Sequence, residues 1–234
     1  MNLRVLFIGN SHTYLNYMPL MLMEMVEASG RGLKLETEQS IGESVSLEWH
    51  WNNPRTRELM AARGWDFVVL QDRSGGPLEN RPSFERYARL LDGEIRRQGG
   101  ASIFYMTWAR KSQPQTQAEL NDAYTSIAKE LGAMLAPVGT AWQRVRELDP
   151  GVELHHSDGR HANPAGSYLA ACVFYAVILK ASPVGLPASF EIQSKSRPDL
   201  RGCLSAKGSV GYDNAERMRD LSRTRSRRSS SISV

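Results

Sequence analysis

Residues able to move an acyl group lie near the start of this chain and again some 150 positions later. Ser11 follows an apolar run in Phe7-Ile8-Gly9-Asn10-Ser11-His12-Thr13, and Asp158-Gly159-Arg160-His161 sets an acid three residues before a base. Acyl transfer to a hydroxyl needs a base to take its proton, a group to orient that base, and donors for the oxyanion. At the D-x-x-H spacing the Asp158 carboxylate can reach Nδ1 of His161 and leave Nε2 for Ser11. Each signal also has a plainer reading. Serine and asparagine cap helices, and Asp158 with His161 could be a loop ion pair. His12 reads as a wall or supporting donor, because side chains of sequence neighbours diverge. His155, His156, Asp158 and His161 contain zinc-type ligands, but adjacent residues seldom bind one ion and no further carboxylate or cysteine group is near. We read no metal and no cofactor.

The elements that must hold these residues alternate between strand and helix. Leu3–Ile8 is an apolar strand broken by Gly9. Leu33–Gln39 alternates as a strand near an edge does, and the β-branched run Phe67–Leu70 reads as a central strand ending at Gln71. Ala101–Met106 and Ala133–Val138 complete five strands. Helices are expected over Pro19–Ser29, Arg55–Arg63, Phe84–Gln98, the segment from Thr116 to Gly132, Thr140–Glu147 and Ala165–Lys180. Thr116-Gln117-Ala118-Glu119 has the form of a capping box, and Asn163-Pro164 that of an N-cap with proline in the first turn. Ala165–Lys180 is apolar nearly all round and should be buried. This alternation predicts an α/β fold, a three-layer α/β/α sandwich around a five-stranded parallel sheet. Ser11 then sits on the turn after strand 1, where such sheets place reactive groups.

Charge separates a domain from a tail. The chain carries 29 basic and 25 acidic residues. Ten of the basic and four of the acidic residues fall in 195–234, leaving 19 and 21 in 1–194. The basicity belongs to the tail, so a nucleic-acid partner is not expected for the domain. The Ser/Arg-rich stretch 222–231 lacks the apolar residues that would offset its chain entropy, and we read it as disordered. Two cysteines, Cys172 and Cys203, form no framework. No run approaches the ~18 apolar residues of a membrane span. The first strand begins at once and leaves no room for a signal peptide. A cytoplasmic setting goes with a chain that starts there, an exported one with a precursor trimmed before it.

The chain resembles the SGNH/GDSL hydrolases. Gly9-Asn10-Ser11 is similar to their Gly-Asp-Ser block, with Asn10 for the aspartate, and Asp158–His161 matches their D-x-x-H. Gly42 falls where a second block has its glycine. After strand 3, where the family has an asparagine, this chain has Gln71. A subgroup with Gly-Asn-Ser, Leu-Gln-x-x-Ser, Thr-Trp-Ala-Arg and Asp-Gly-x-His segments is closer still, over residues 3–187. The resemblance implies a flavodoxin-like fold with Ser11 as nucleophile, His161 as base and Asp158 orienting it. It implies oxyanion donors at the Ser11 and Gly42 amides and at Gln71. Gln71 could equally bond loop backbone. His12, His50, Trp108 and Arg110 are candidates for a substrate pocket; the trio Trp49-His50-Trp51 could wall a sugar or acyl site or instead pack the core with its tryptophans around a satisfied His50, and a structural Arg–carboxylate pair is the alternative at Trp108 and Arg110. The implied activity is hydrolysis of small acyl esters, with O-acetyl groups on carbohydrate as the partner class. An acyltransferase or an inactive carbohydrate-binding module of the same fold stands beside it. The sequence leaves the oligomeric state open.

Overall fold

The computed structural model describes residues 2–188. The tail expected over 195–234 lies outside the described residues. Five strands, β1 (Asn2–Gly9), β2 (Lys34–Ile41), β3 (Phe67–Leu70), β4 (Ala101–Tyr105) and β5 (Met134–Ala136), form one sheet in the order β2-β1-β3-β4-β5, with every pair parallel. The expected parallel sheet is therefore present, with β3 at its centre and β2 on an edge.

Nine α-helices connect and cover it among the described residues: α1 (Ser11–Tyr14), α2 (Met18–Ala28), α3 (Leu47–Asn52), α4 (Pro54–Ala61), α5 (Gly76–Glu79), α6 (Arg81–Arg97), α7 (Gln117–Leu131), α8 (Val138–Leu148) and α9 (Pro164–Leu179). Alternate residues of each strand face opposite layers, which produces two cores. Val5, Phe7, Ile103 and Tyr105 pack with α2, α8 and α9. Leu6, Ile8, Val68, Leu70 and Phe104 pack with α3, α4, α6 and α7. α9 is buried along most of its length, as its composition requires, and Asn163 Oδ1 caps it by accepting from Gly166 N–H at 3.0 Å.

Two local expectations are corrected. The capping box at Thr116 does not form, because a 3₁₀ turn over Pro114–Thr116 runs straight into α7. The Thr116 hydroxyl donates back to Gln113 O at 2.8 Å and is not available to the α7 amides. The short helices α1, α3 and α5 were not expected; with four to six residues each they are too brief to show a period.

In this strand order β1 connects outward to β2 and the chain then returns to the other side of β1 for β3. The crevice at the carboxyl ends of β1 and β3 is the place where such sheets bind ligands. Ser11 follows β1 and Gln71 follows β3 there.

Candidate active site

Asn10 and Ser11 open α1. The Asn10 side chain caps it by accepting from His12 N–H at 3.2 Å, and its other end donates to Val45 O at 3.0 Å. The turn that carries Ser11 and the loop after β2 are thereby joined. An aspartate could fill the first role but not the second, which gives a physical reason for asparagine here. Gln71 supports the same turn from β3. Its Oε1 accepts from Asn10 N–H and from the Thr13 hydroxyl, each at 2.9 Å, while its Nε2 donates to Asp72 O. Flipping the carboxamide would set a donor against Asn10 N–H and an acceptor against a carbonyl, so this orientation is fixed at both ends. Gly9 leaves the room required: a Cβ there would lie 2.5 Å from Thr13 Oγ1 and 2.6 Å from Gln71 Oε1.

From the other end of the core, the loop before α9 brings His161 to Ser11. Nε2 lies 2.9 Å from Ser11 Oγ across 150 residues of sequence. Nδ1 lies 2.5 Å from Asp158 Oδ2. Asp158 Oδ1 accepts from the amides of Arg160 and His161, both at 2.9 Å, which curls the loop back onto its own acid. Partial burial pushes the Asp158 carboxyl up. The hydrogen bond from the His161 ring and those two amides outweigh it and hold the carboxyl below the usual carboxylate range. An ionised acid on Nδ1 keeps the proton there and leaves Nε2 as the acceptor facing Ser11. The expected serine, base and acid are thus in hydrogen-bonded sequence.

The expected oxyanion donors fare differently. The Ser11 amide, at the first position of α1, has no acceptor among the described residues. The Gly42 amide points at Gly9 O at 3.3 Å, a continuation of the β1–β2 ladder, and is not free in this structure. Gln71 is fully buried with both ends of its carboxamide engaged, so the third donor expected there is not met. It braces the turn that carries Ser11.

The candidate pocket residues also divide. His12 is buried, with its ring centroid 5.0 Å from Trp108 and 5.3 Å from His161, and forms a wall. Burial first, then the charges of His161 and Arg160, depress its pKa to about 3, so it stays neutral beside His161. His50 has no exposure. Its Nε2–H donates to Gly9 O at 2.9 Å and its Nδ1 accepts from the Thr56 hydroxyl at 3.1 Å, with burial lowering its pKa to about 4. It is a structural histidine, and its expected place in the pocket is withdrawn. The exposed member of that trio is Trp49, at 41 % exposure, whose ring would be 3.4 Å from a Cβ at Gly42. Trp108 is 2 % exposed, stacked on Trp142 at 4.0 Å, and its indole N–H donates to Arg160 O at 3.0 Å. It positions the histidine loop and offers little surface to a substrate. Arg110 is exposed on the loop after β4.

No protein-family model and no curated protein matches the chain. Solved structures do. A proposed SGNH hydrolase from Slackia heliotrinireducens is 28% identical, with a TM-score of 0.65 over 76% of this chain and 100% of its own. The chain has the fold of the SGNH/GDSL hydrolases, and its structural neighbours are hydrolases of that group. Two further members of the fold are a DUF4886 family protein from Bacteroides uniformis and a variant of an acetyl xylan esterase from Geobacillus stearothermophilus. The first is 21% identical, with a TM-score of 0.66 over 85% of this chain and 90% of its own. The second is 14% identical, with a TM-score of 0.59 over 75% of this chain and 94% of its own. Within this SGNH fold, Asn10 and Gln71, the two departures from the usual motif residues, both serve to hold Ser11.

Proposed function

We propose that the protein is a serine esterase that hydrolyses small acyl esters, O-acetyl groups on carbohydrate among them, through an acyl-enzyme on Ser11. The hydrogen-bonded run from Ser11 through His161 to Asp158 carries this reading. His161 Nε2 takes the Ser11 proton as Oγ attacks the ester carbonyl. The negative charge gathers on the former carbonyl oxygen, where the Ser11 amide is the available donor; one such donor is worth about 3 kcal/mol in the transition state. The imidazolium, oriented by Asp158, gives its proton to the leaving alcohol oxygen as the C–O bond breaks. Water then adds to the acyl-enzyme, giving a proton to Nε2. Collapse returns that proton to Ser11 Oγ and frees the carboxylic acid.

The acetyl xylan esterase likeness supports the carbohydrate part of this reading. Exposed Trp49 gives a sugar or acyl group an aromatic surface. A fluorophosphonate is expected to label Ser11, and Ser11→Ala to lower hydrolysis of 4-nitrophenyl acetate by about 10³-fold or more. Equal rates for the variant and the wild type would overturn the mechanism.

A further inference from the structure

Beside the triad acid, on the far side of His161 from Ser11, a pocket of about 500 Å³ is lined by Arg110, Lys111, Ser112, Ser157, Asp158 and Arg160. Its walls are the loop after β4 and the histidine loop, and these are fastened together. Lys111 N–H donates to Gly159 O at 2.8 Å and the Trp108 indole to Arg160 O at 3.0 Å. Of its cations, Lys111 is paired with Glu153. Arg110 and Arg160 make no ion pair among the described residues. Arg160 Nε is also closed off from solvent without a partner. The one carboxylate in the lining, Asp158, already accepts from the His161 ring and two backbone amides. Two guanidiniums and the Ser112 hydroxyl therefore line the pocket without a partner among the described residues, while the Ser157 hydroxyl lies 3.4 Å from His156 Nδ1; such a donor set suits an oxyanion.

The position decides which half of an ester would reach it. His161 must protonate the leaving oxygen, so the alcohol half lies on the His161 side of Ser11, the side of the histidine loop that also lines the pocket. We propose that the alcohol half of the substrate carries an oxyanion, a carboxylate, sulfate or phosphate, held by Arg110 and Arg160. An acetylated acidic sugar is the simplest such substrate. The inference rests on the esterase reading and names its substrate class.

The test compares a mono-O-acetyl methyl glucuronide with the matching glucoside and with an acetylated sugar phosphate, at low salt. Wild type is expected to favour an anionic ester by about tenfold in kcat/KM, the value of one charge-assisted contact. Preference for the uronate alone, or for the phosphate alone, identifies the source of the oxyanion. The preference is expected to shrink to less than about twofold in Arg110→Gln/Arg160→Gln and near 0.5 M NaCl. It should persist in part with lysine at both positions and in full in Arg55→Gln, far from the site. Equal rates for charged and neutral sugars, or a preference unchanged in the double variant, would overturn the proposal. So would a preference that follows charge on the acyl half, read with 4-nitrophenyl monosuccinate against the butyrate. Binding of glucuronate, glucose 6-phosphate and glucose, followed by calorimetry, separates this inference from the esterase reading. Should no ester turn over, anion binding that the double variant loses would still support the pocket, and its absence would sink it.

Discussion

At the scale of single residues, the turn that carries Ser11 is held by buried side chains behind it. Asn10 is buried and donates to Val45 O while capping α1. Asn10→Asp would set a carboxylate oxygen against that carbonyl and leave Val45 O without its donor, at a cost of about 1–3 kcal/mol. The sign with pH follows from burial, which favours the neutral acid, and the neutral acid can donate again. The variant is therefore expected to be least stable relative to wild type near pH 8 and to recover toward pH 5, as read by urea unfolding at the two pH values. The sequence singled out Ser11, Asp158 and His161 by their types and spacing, and the structure brings the three together. The sequence did not disclose the job of Gln71, since a carboxamide at a strand end can face substrate or backbone and only the third dimension chooses. Which of Trp49 and His50 faces inward was hidden for a similar reason: in a six-residue helix the phase is too short to read.

At the scale of elements, the strands and long helices were legible because hydrophobic periodicity carried them, and their ends moved by only a few residues. What escaped were the short connecting helices, held by tertiary contacts. α3 is the clearest case. Its first amide, Leu47 N–H, donates to Asp72 Oδ2 at 3.0 Å, so the segment after β2 is anchored by the loop after β3. Asp72 is 2 % exposed, and burial pushes its pKa to about 6, above its value in an unfolded chain. A raised carboxyl contributes stability below its unfolded pKa, and that contribution is lost as the pH rises through about 6. Asp72→Asn keeps an acceptor for Leu47 without the charge. It should stabilise the protein by about 1–3 kcal/mol near pH 8 and leave it unchanged near pH 3, as measured by thermal unfolding at both.

At the scale of the whole molecule, buried histidines set the acid limit, His12 and His50 most strongly and His155 in the same direction. His12 and His50 have folded pKa values of about 3 and 4, below the 6.5 of a free imidazole. A depressed pKa gives stability that is present above 6.5 and lost as the pH falls toward the folded value. For His50 alone the loss reaches about 3 kcal/mol by pH 4. Asp72 acts in the opposite sense over part of that range but cannot offset both rings. The unfolding midpoint is expected to fall steeply between pH 6.5 and 4, and His50→Gln to flatten part of that slope. A midpoint independent of pH across that interval would contradict the burial of both rings. The hydrogen bond from Ser11 to His161, across 150 residues, also has a consequence for the chain as it is made. Synthesis releases the serine before four of the five strands and its base only after all five. On the proposed mechanism Ser11 stays an ordinary alcohol until the last loop emerges and docks, so a nascent or truncated chain is expected to be dormant, and onset of reactivity toward a fluorophosphonate would time the closure of the fold.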